Sequence, residues 1–256
     1  MPSFDIISDI HLDHLTGTGD KGLEFIDSVF ENPTAPNLLI GGDVGFQSDF
    51  YSSYFFDLVK KKYEKVACIL GNHDYWGFDL NTESPWKYWS ERYNAPNIHF
   101  LSLSEPNEII IDDTVVIGGT LWSELDPVYE VLIQAALNDF KAIKKFSLEQ
   151  YKALYNLELE NLKKQIDKFA DQKTLILTHH APTYQTTERW SQSPIKSCFC
   201  TSLEDIILDN PQIKAWVFGH CHESDVIHIG QAKVLEHSFG YYNANNRSFK
   251  PLHLEI

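Results

Sequence analysis

Basic side chains, sulfur and long apolar stretches are all scarce in this chain. Its 256 residues carry 21 Lys and Arg against 36 Asp and Glu, a formal net charge of −15. A surface that acidic repels nucleic-acid backbones, and no basic run offsets it. Nucleic acid is therefore not an expected partner. The arginines are only Arg92, Arg189 and Arg247. No apolar stretch reaches the roughly 18 residues that a membrane-spanning helix requires, so no membrane partner is expected. The opening MPSFDIISD has no basic flank and no long apolar segment, and a signal peptide is not expected. With only Cys68, Cys198, Cys200 and Cys221 as thiols, the expected location is the reducing cytoplasm. Cys198-x-Cys200 has no second thiol pair to complete a metal site. Neither repeats nor low-complexity linkers interrupt the chain. Its length suits one α/β domain over 1–256.

What the chain does have is five short apolar runs that break off into metal-type ligands. FDIISDIHL ends with Asp9 and His11, NLLIGGDV with Asp43, and ACILGNHD with Asn72 and His73. LILTHH ends with His179 and His180, and WVFGHCH with His220 and His222. Each run has strand length and β-branched or aromatic character. In α/β proteins ligands bind beyond the carboxyl ends of strands, so five such ends predict a metal site on one edge. Asp9 and His11 lie at i and i+2, and an extended backbone places such residues on one side. His220 and His222 repeat the spacing, with Cys221 pointing away. Carboxylate, amide and imidazole suit borderline metals such as Zn, Mn, Fe or Ni. The set exceeds the roughly four ligands of one tetrahedral site. It suits two ions about 3.5–4 Å apart that share a carboxylate.

The order D-x-H, G-D, G-N-H-D, a lone His after a strand, then G-H-x-H resembles the calcineurin-like metallophosphoesterases. The resemblance also takes in Gly118-Gly119-Thr120-Leu121-Trp122, Asn138-Asp139-Phe140, Ser193-Pro194 and Gly240-Tyr241. It points to a stand-alone bacterial-type subgroup and covers nearly the whole chain. It implies a four-layer α/β sandwich: two mixed β-sheets flanked by helices, with the metal site at the carboxyl-end rim. One metal would take Asp9, His11, Asp43 and His222. The other would take Asp43, Asn72, His179 and His220, with Asp43 bridging. The ions would be divalent or trivalent Mn, Fe, Zn or Ni. The implied reaction is hydrolysis of a small phosphomonoester or phosphodiester by a hydroxide between the metals. His73 would stabilise or protonate the leaving oxygen, a task that suits an imidazole. Such a site is net positive, and the acidic surface is screened beyond about 8 Å, which favours small phosphoesters over long polyanions.

Two departures matter. Related enzymes often have a carboxylate three residues after the bridging Asp, where it orients the leaving-group His; Phe46 stands there. Asp49 and Asp74 are nearby alternatives. The D-R-G continuation of the protein phosphatases is also missing. The rival readings are a non-catalytic scaffold on the same fold and a nuclease. An intact ligand set with His73 argues against the first, and the acidic balance against the second.

Substrate contacts are expected from loops. His180 adjoins His179 and must point elsewhere, to a pocket or into packing. Arg189 can pair with a second phosphate or carboxylate, or lie solvated beside Glu188. Trp122, Trp190, Tyr241 and Tyr242 can line an aromatic slot or pack in the core. Helices are expected at Lys21–Glu31, Ser48–Glu64, Pro85–Tyr93 and Ser202–Leu208. A mostly helical segment is expected at about 127–171, split in two by a capping box of Ser147 and Gln150. Strands are expected at Ile98–Leu103, Glu108–Asp112, Thr114–Gly119, Val226–Ile229, Lys233–Glu236 and Leu252–Glu255.

Overall fold

The computed structural model describes residues 1–186, 190–242 and 248–256. Each of the five apolar runs alternates between two cores. In β1 (Ser3–Ile7), Ile6 and Ile7 face opposite cores, and in β2 (Asn37–Ile40), Leu39 opposes Leu38 and Ile40. Strands buried on both faces read as near-continuous hydrophobic runs, which is why these segments are so uniform. With β3 (Lys65–Cys68) and β4 (Ile98–Phe100) they pair in parallel, β1-β2-β3-β4. The last strand, β11 (Leu252–Glu255), adds antiparallel to β1.

The second sheet begins with β5 (Glu108–Ile111), antiparallel to β6 (Thr114–Gly119). Parallel pairing continues through β7 (Lys173–Thr178) and β8 (Ile213–Phe218) to β10 (Ala232–His237). The edge strand β9 (Ser224–Ile229) is antiparallel. Leu175, Leu177, Ala215 and Val217 meet Phe4, Ile6 and Leu39 between the sheets, while Ile176, Trp216 and Phe218 face outward.

Helices close both outer faces. α1 (Asp20–Val29), α2 (Asp49–Lys62) and α3 (Pro85–Arg92) share a core with the first sheet. α4 (Glu130–Ala136) and α5 (Asp139–Ala142) lead to α6 (Leu148–Lys168). The far half of α6 packs with α7 (Glu204–Asp209) on the second sheet. The result is the expected helix–sheet–sheet–helix sandwich.

The 127–171 segment is more broken than expected. Ser147 and Gln150 do form the capping box, each accepting the other's backbone N–H. Before it, the chain already has a 3-10 turn at Pro127–Tyr129 and two short helices, because Leu137 is extended (ψ 130°) and interrupts the helix. Elsewhere the elements differ from expectation by a few residues at their ends. Among the described residues no helix is long and apolar enough to cross a membrane.

The parallel strands deliver their carboxyl ends to one edge. There the two sheets are stitched together: Ser8 N–H donates to His237 O at 3.0 Å, and Phe239 N–H to Ser8 O at 2.9 Å.

Candidate metal centre

The edge gathers the residues singled out from the sequence, but by a different geometry from the one the spacing predicts. β1 ends at Ile7 and β8 at Phe218, so Asp9, His11, His220 and His222 lie beyond the strands. They are not on extended backbone. Eight non-glycine residues among those described have positive φ, and five of them are Asp9 (53°), His11 (44°), Asp43 (50°), His220 (72°) and His222 (56°). Left-handed backbone costs of order 1–3 kcal/mol per residue and persists where its surroundings over-determine it. The surroundings do so here. Asp9 N–H donates to Gly42 O and His11 N–H to Asp43 O, both at 3.0 Å, and Gly240 N–H donates to Asp9 O at 3.0 Å. His220 N–H donates to the Asp9 carboxylate at 3.0–3.1 Å.

Two motif glycines are explained by close approach. A Cβ at Gly219 would stand 2.0 Å from Ser8 Oγ and 2.5 Å from Asp9 Oδ2. Gly42 has φ +91°, and a Cβ there would meet Gly71 N at 2.5 Å and His179 Nδ1 at 2.8 Å.

Three overlapping groups result: Asp9, His11 and His222; His11, Asp43 and His73; Asp43, His179 and His220. Asp43 Oδ2 is the junction. It lies 3.7 Å from His11 Nε2, 3.5 Å from His179 Nε2 and 4.0 Å from His73 Nε2. His222 Nε2 is 3.3 Å from Asp9 Oδ1 and 3.1 Å from His11 Nε2. His179 Nδ1 lies 2.8 Å from Gly41 O, so that nitrogen carries the proton. Its Nε2 then faces Asn72 Oδ1 at 3.0 Å. Asn72 cannot turn a donor toward it, because its Nδ2 donates to Asp139 Oδ1 at 2.9 Å.

In the metal-free site Asp43 favours a second proton on His179, which then donates to Asn72 Oδ1; a cation that displaces this proton meets two acceptor atoms and satisfies both. The buried His220 Nε2 has no hydrogen-bond partner among the described residues. The donor set therefore fits the metals expected from it.

The electrostatics agree. Burial holds His11 down at about 4 and His220 well below the ordinary imidazole range, so both offer neutral nitrogen, the ligand form. Burial opposes ionisation of Asp43 and Asp9, but His179 and His73 hold Asp43 well below its ordinary value, and His222 does the same for Asp9. His179 and His222 are the exceptions. Burial opposes the charge of both, yet Asp43 raises His179 to about 10 and the Asp9 carboxylate raises His222.

His73 has a setting the sequence did not disclose. Phe46 is a core residue stacked on Trp89 at 4.6 Å. Asp49 pairs with Arg92 on the surface. Asp74 accepts the backbone N–H groups of Gly71 and Gly45. None of the three orients His73. Its ring instead stacks on Trp76 with centroids 3.7 Å apart, and Trp76 Nε1–H donates to Asp139 Oδ1 at 2.7 Å. One buried carboxylate thus fixes both Asn72 and the platform under His73. Asp139 belongs to the Asn138-Asp139-Phe140 motif, but its role depends on a contact across 67 residues, and no local pattern marks Trp76. Ser238 is a third omission; its hydroxyl lies 2.7 Å from Asp9 Oδ2.

Above the cluster opens a cavity of about 340 Å³, with Trp190 and Tyr241 among its lining residues. Tyr241 packs over His11 and His222, with centroids 4.7 and 4.9 Å away. Trp190 stacks on Phe199 at 4.1 Å. His180 does not line the cavity; it is buried with its ring 4.2 Å from that of His220. Arg189 lies outside the described residues. Trp122 is fully buried and Tyr242 packs on Phe25, so both belong to the core. The four cysteines are buried, and among the described residues none forms a disulfide.

The family model of the calcineurin-like phosphoesterases matches residues 2–224. An uncharacterized protein of Acanthamoeba polyphaga mimivirus is 27% identical, covering 96% of this chain and 93% of its own. Among solved structures, the phosphopantetheinyl hydrolase of Mycobacterium tuberculosis superposes with a TM-score of 0.74 at 17% identity. That match covers 94% of this chain and 90% of the mycobacterial one, and shows a shared fold.

Proposed function

The chain belongs to the calcineurin-like phosphoesterases, and we propose that it hydrolyses a small phosphomonoester or phosphodiester at the centre around Asp43. The observation that carries this reading is the position of Asp43 Oδ2, within 3.7 Å of imidazoles from two separate ligand groups. In this reading Asp9, His11, Asp43 and His222 hold one ion, and Asp43, Asn72, His179 and His220 hold the other. Two bound ions supply Lewis acidity toward the phosphoryl oxygens and acidify a water.

The remaining work belongs to the side chains. The water gives one proton to solvent, its oxygen bonds to phosphorus as the ester P–O bond breaks, and the leaving oxygen takes a proton in turn. His73 Nε2 holds that proton at the cavity wall. Trp76 keeps the ring plane fixed, and Asp139 keeps Trp76 and Asn72 fixed together. Tyr241 and Trp190 contact the organic part of the substrate. His180 packs behind His220, and Arg189, which lies outside the described residues, is kept as a partner for a second phosphate or a carboxylate of the substrate.

The test is a panel of aryl and alkyl phosphomonoesters and phosphodiesters, with a phosphopantetheine diester among them. Metal-free protein is assayed after separate addition of Mn, Zn, Fe and Ni. Turnover that appears only with metal is expected. Protein loaded with two ions that turns over no member of the panel contradicts the reading.

A further inference from the structure

The segment just before the cavity presents its apolar side to water. Val128, Val131, Leu132, Ala135 and Ala136 follow the i, i+3, i+4, i+7, i+8 spacing of one helix face. That face would ordinarily be buried. Here Val128 is 82%, Val131 84% and Leu132 45% exposed, and Ala135 and Ala136 are exposed as well. Ile133 is the one buried residue of α4.

The stripe does not stop at the surface. Ala136 and the following Leu137 line the cavity beside Asp43, His73 and His222. Trp190, Ile195 and Phe199 also line it. No Lys or Arg is among the described lining residues. An apolar surface thus runs from solvent into the catalytic cavity, where polyanions would find no cation from the described side chains.

We propose that one ester group of the substrate is an extended apolar chain or ring system. Its near end rests against Leu137, Ile195 and Phe199, and its far end covers the α4 stripe. The inference rests on the phosphoesterase reading above and narrows its substrate class. Removing this apolar surface from water supplies binding in addition to that of the phosphoryl group at the metal centre.

Two ligand series with methyl, butyl and octyl chains test it on metal-loaded protein. p-Nitrophenyl alkyl phosphates report hydrolysis, and alkylphosphonates report binding by calorimetry without any reaction. Affinity is expected to rise roughly fourfold for each methylene that enters the track, with kcat/KM following. Val131→Asp and, separately, Leu132→Asp are expected to lower the octyl-to-methyl ratio several-fold, with melting curves confirming that both fold. A flat chain-length series overturns the proposal. So does a ratio unchanged in both variants, including the case where they convert an oligomer of this chain into monomers. Chain-dependent phosphonate binding without ester turnover would sink the reaction and keep the track. Turnover indifferent to chain length would do the reverse.

Discussion

The floor and the mouth of the cavity are built on opposite terms. On the floor Asp9, His11 and His179 are fully buried, and backbone hydrogen bonds pin the left-handed residues among them. The mouth is the segment that enters the cavity through Ala136 and Leu137, and on it Val128 and Val131 stand more than four-fifths exposed, on a turn and a seven-residue helix. The floor holds charged and polar atoms where they would be costly if unpaired. The mouth holds apolar atoms where they gain nothing until something covers them. On the reading proposed above, reaction chemistry and substrate choice sit in separable parts of this molecule.

The severest way to break that separation is to remove the junction. Asp43→Asn is expected to take hydrolysis of every ester, short or long, to the background rate, because both ligand groups lose their shared charge. Normal turnover of the variant at saturating metal would dismiss the bridging role.

Next in size is His73→Ala. Turnover of esters with alkyl leaving groups should fall by about 10²–10⁴-fold. Nitrophenyl esters should fall much less, since nitrophenolate leaves without a proton. Metal content should stay constant. A uniform loss across leaving groups would make His73 a phosphoryl-positioning residue instead.

Asp139 sharpens the comparison within the floor. Asp139→Ala frees both Asn72 and Trp76, and metal affinity should fall about 10–100-fold, as for other residues that orient ligands. Asp139→Asn keeps a side-chain oxygen for both donors and should recover part of the loss. Titration of metal-free protein with Mn or Zn reads this directly. Equal affinities in all three proteins would leave Asp139 with packing alone.

The smallest effect belongs to the mouth. Val131→Asp replaces a side chain that is 84% exposed, so thermal stability should change by no more than about 0.5 kcal/mol. A large drop would mean that the α4 stripe is covered in solution by another copy of the chain.

The fold and the floor were legible because the same residues do two jobs. The centres of runs such as NLLI and KTLILT are apolar since both strand faces are buried, and the runs break where Gly, Asp, Asn or His must leave the sheet. The conformation of those breaks was not legible. Spacing of two residues fits a pleat as well as a left-handed turn, and only the hydrogen bonds around Asp9 and His220 decide. The mouth was less legible still. The spacing from Val128 to Ala136 predicts a helix with an apolar face, but no local signal says whether protein or water meets it. Trp76 escaped notice because its partners, His73 and Asp139, give it a role that depends on the folded arrangement.

In the reading proposed here, one carboxylate, that of Asp43, joins two metal sites. Chelator-treated protein reloaded with Mn or Zn, measured by anomalous scattering together with metal analysis, tests it most directly. Two ions per chain are predicted, one on each side of Asp43, with His11 and His222 on the first and Asn72, His179 and His220 on the second. Saturation at a single ion, or ions held by Cys198, Cys200 or Cys221, would contradict it.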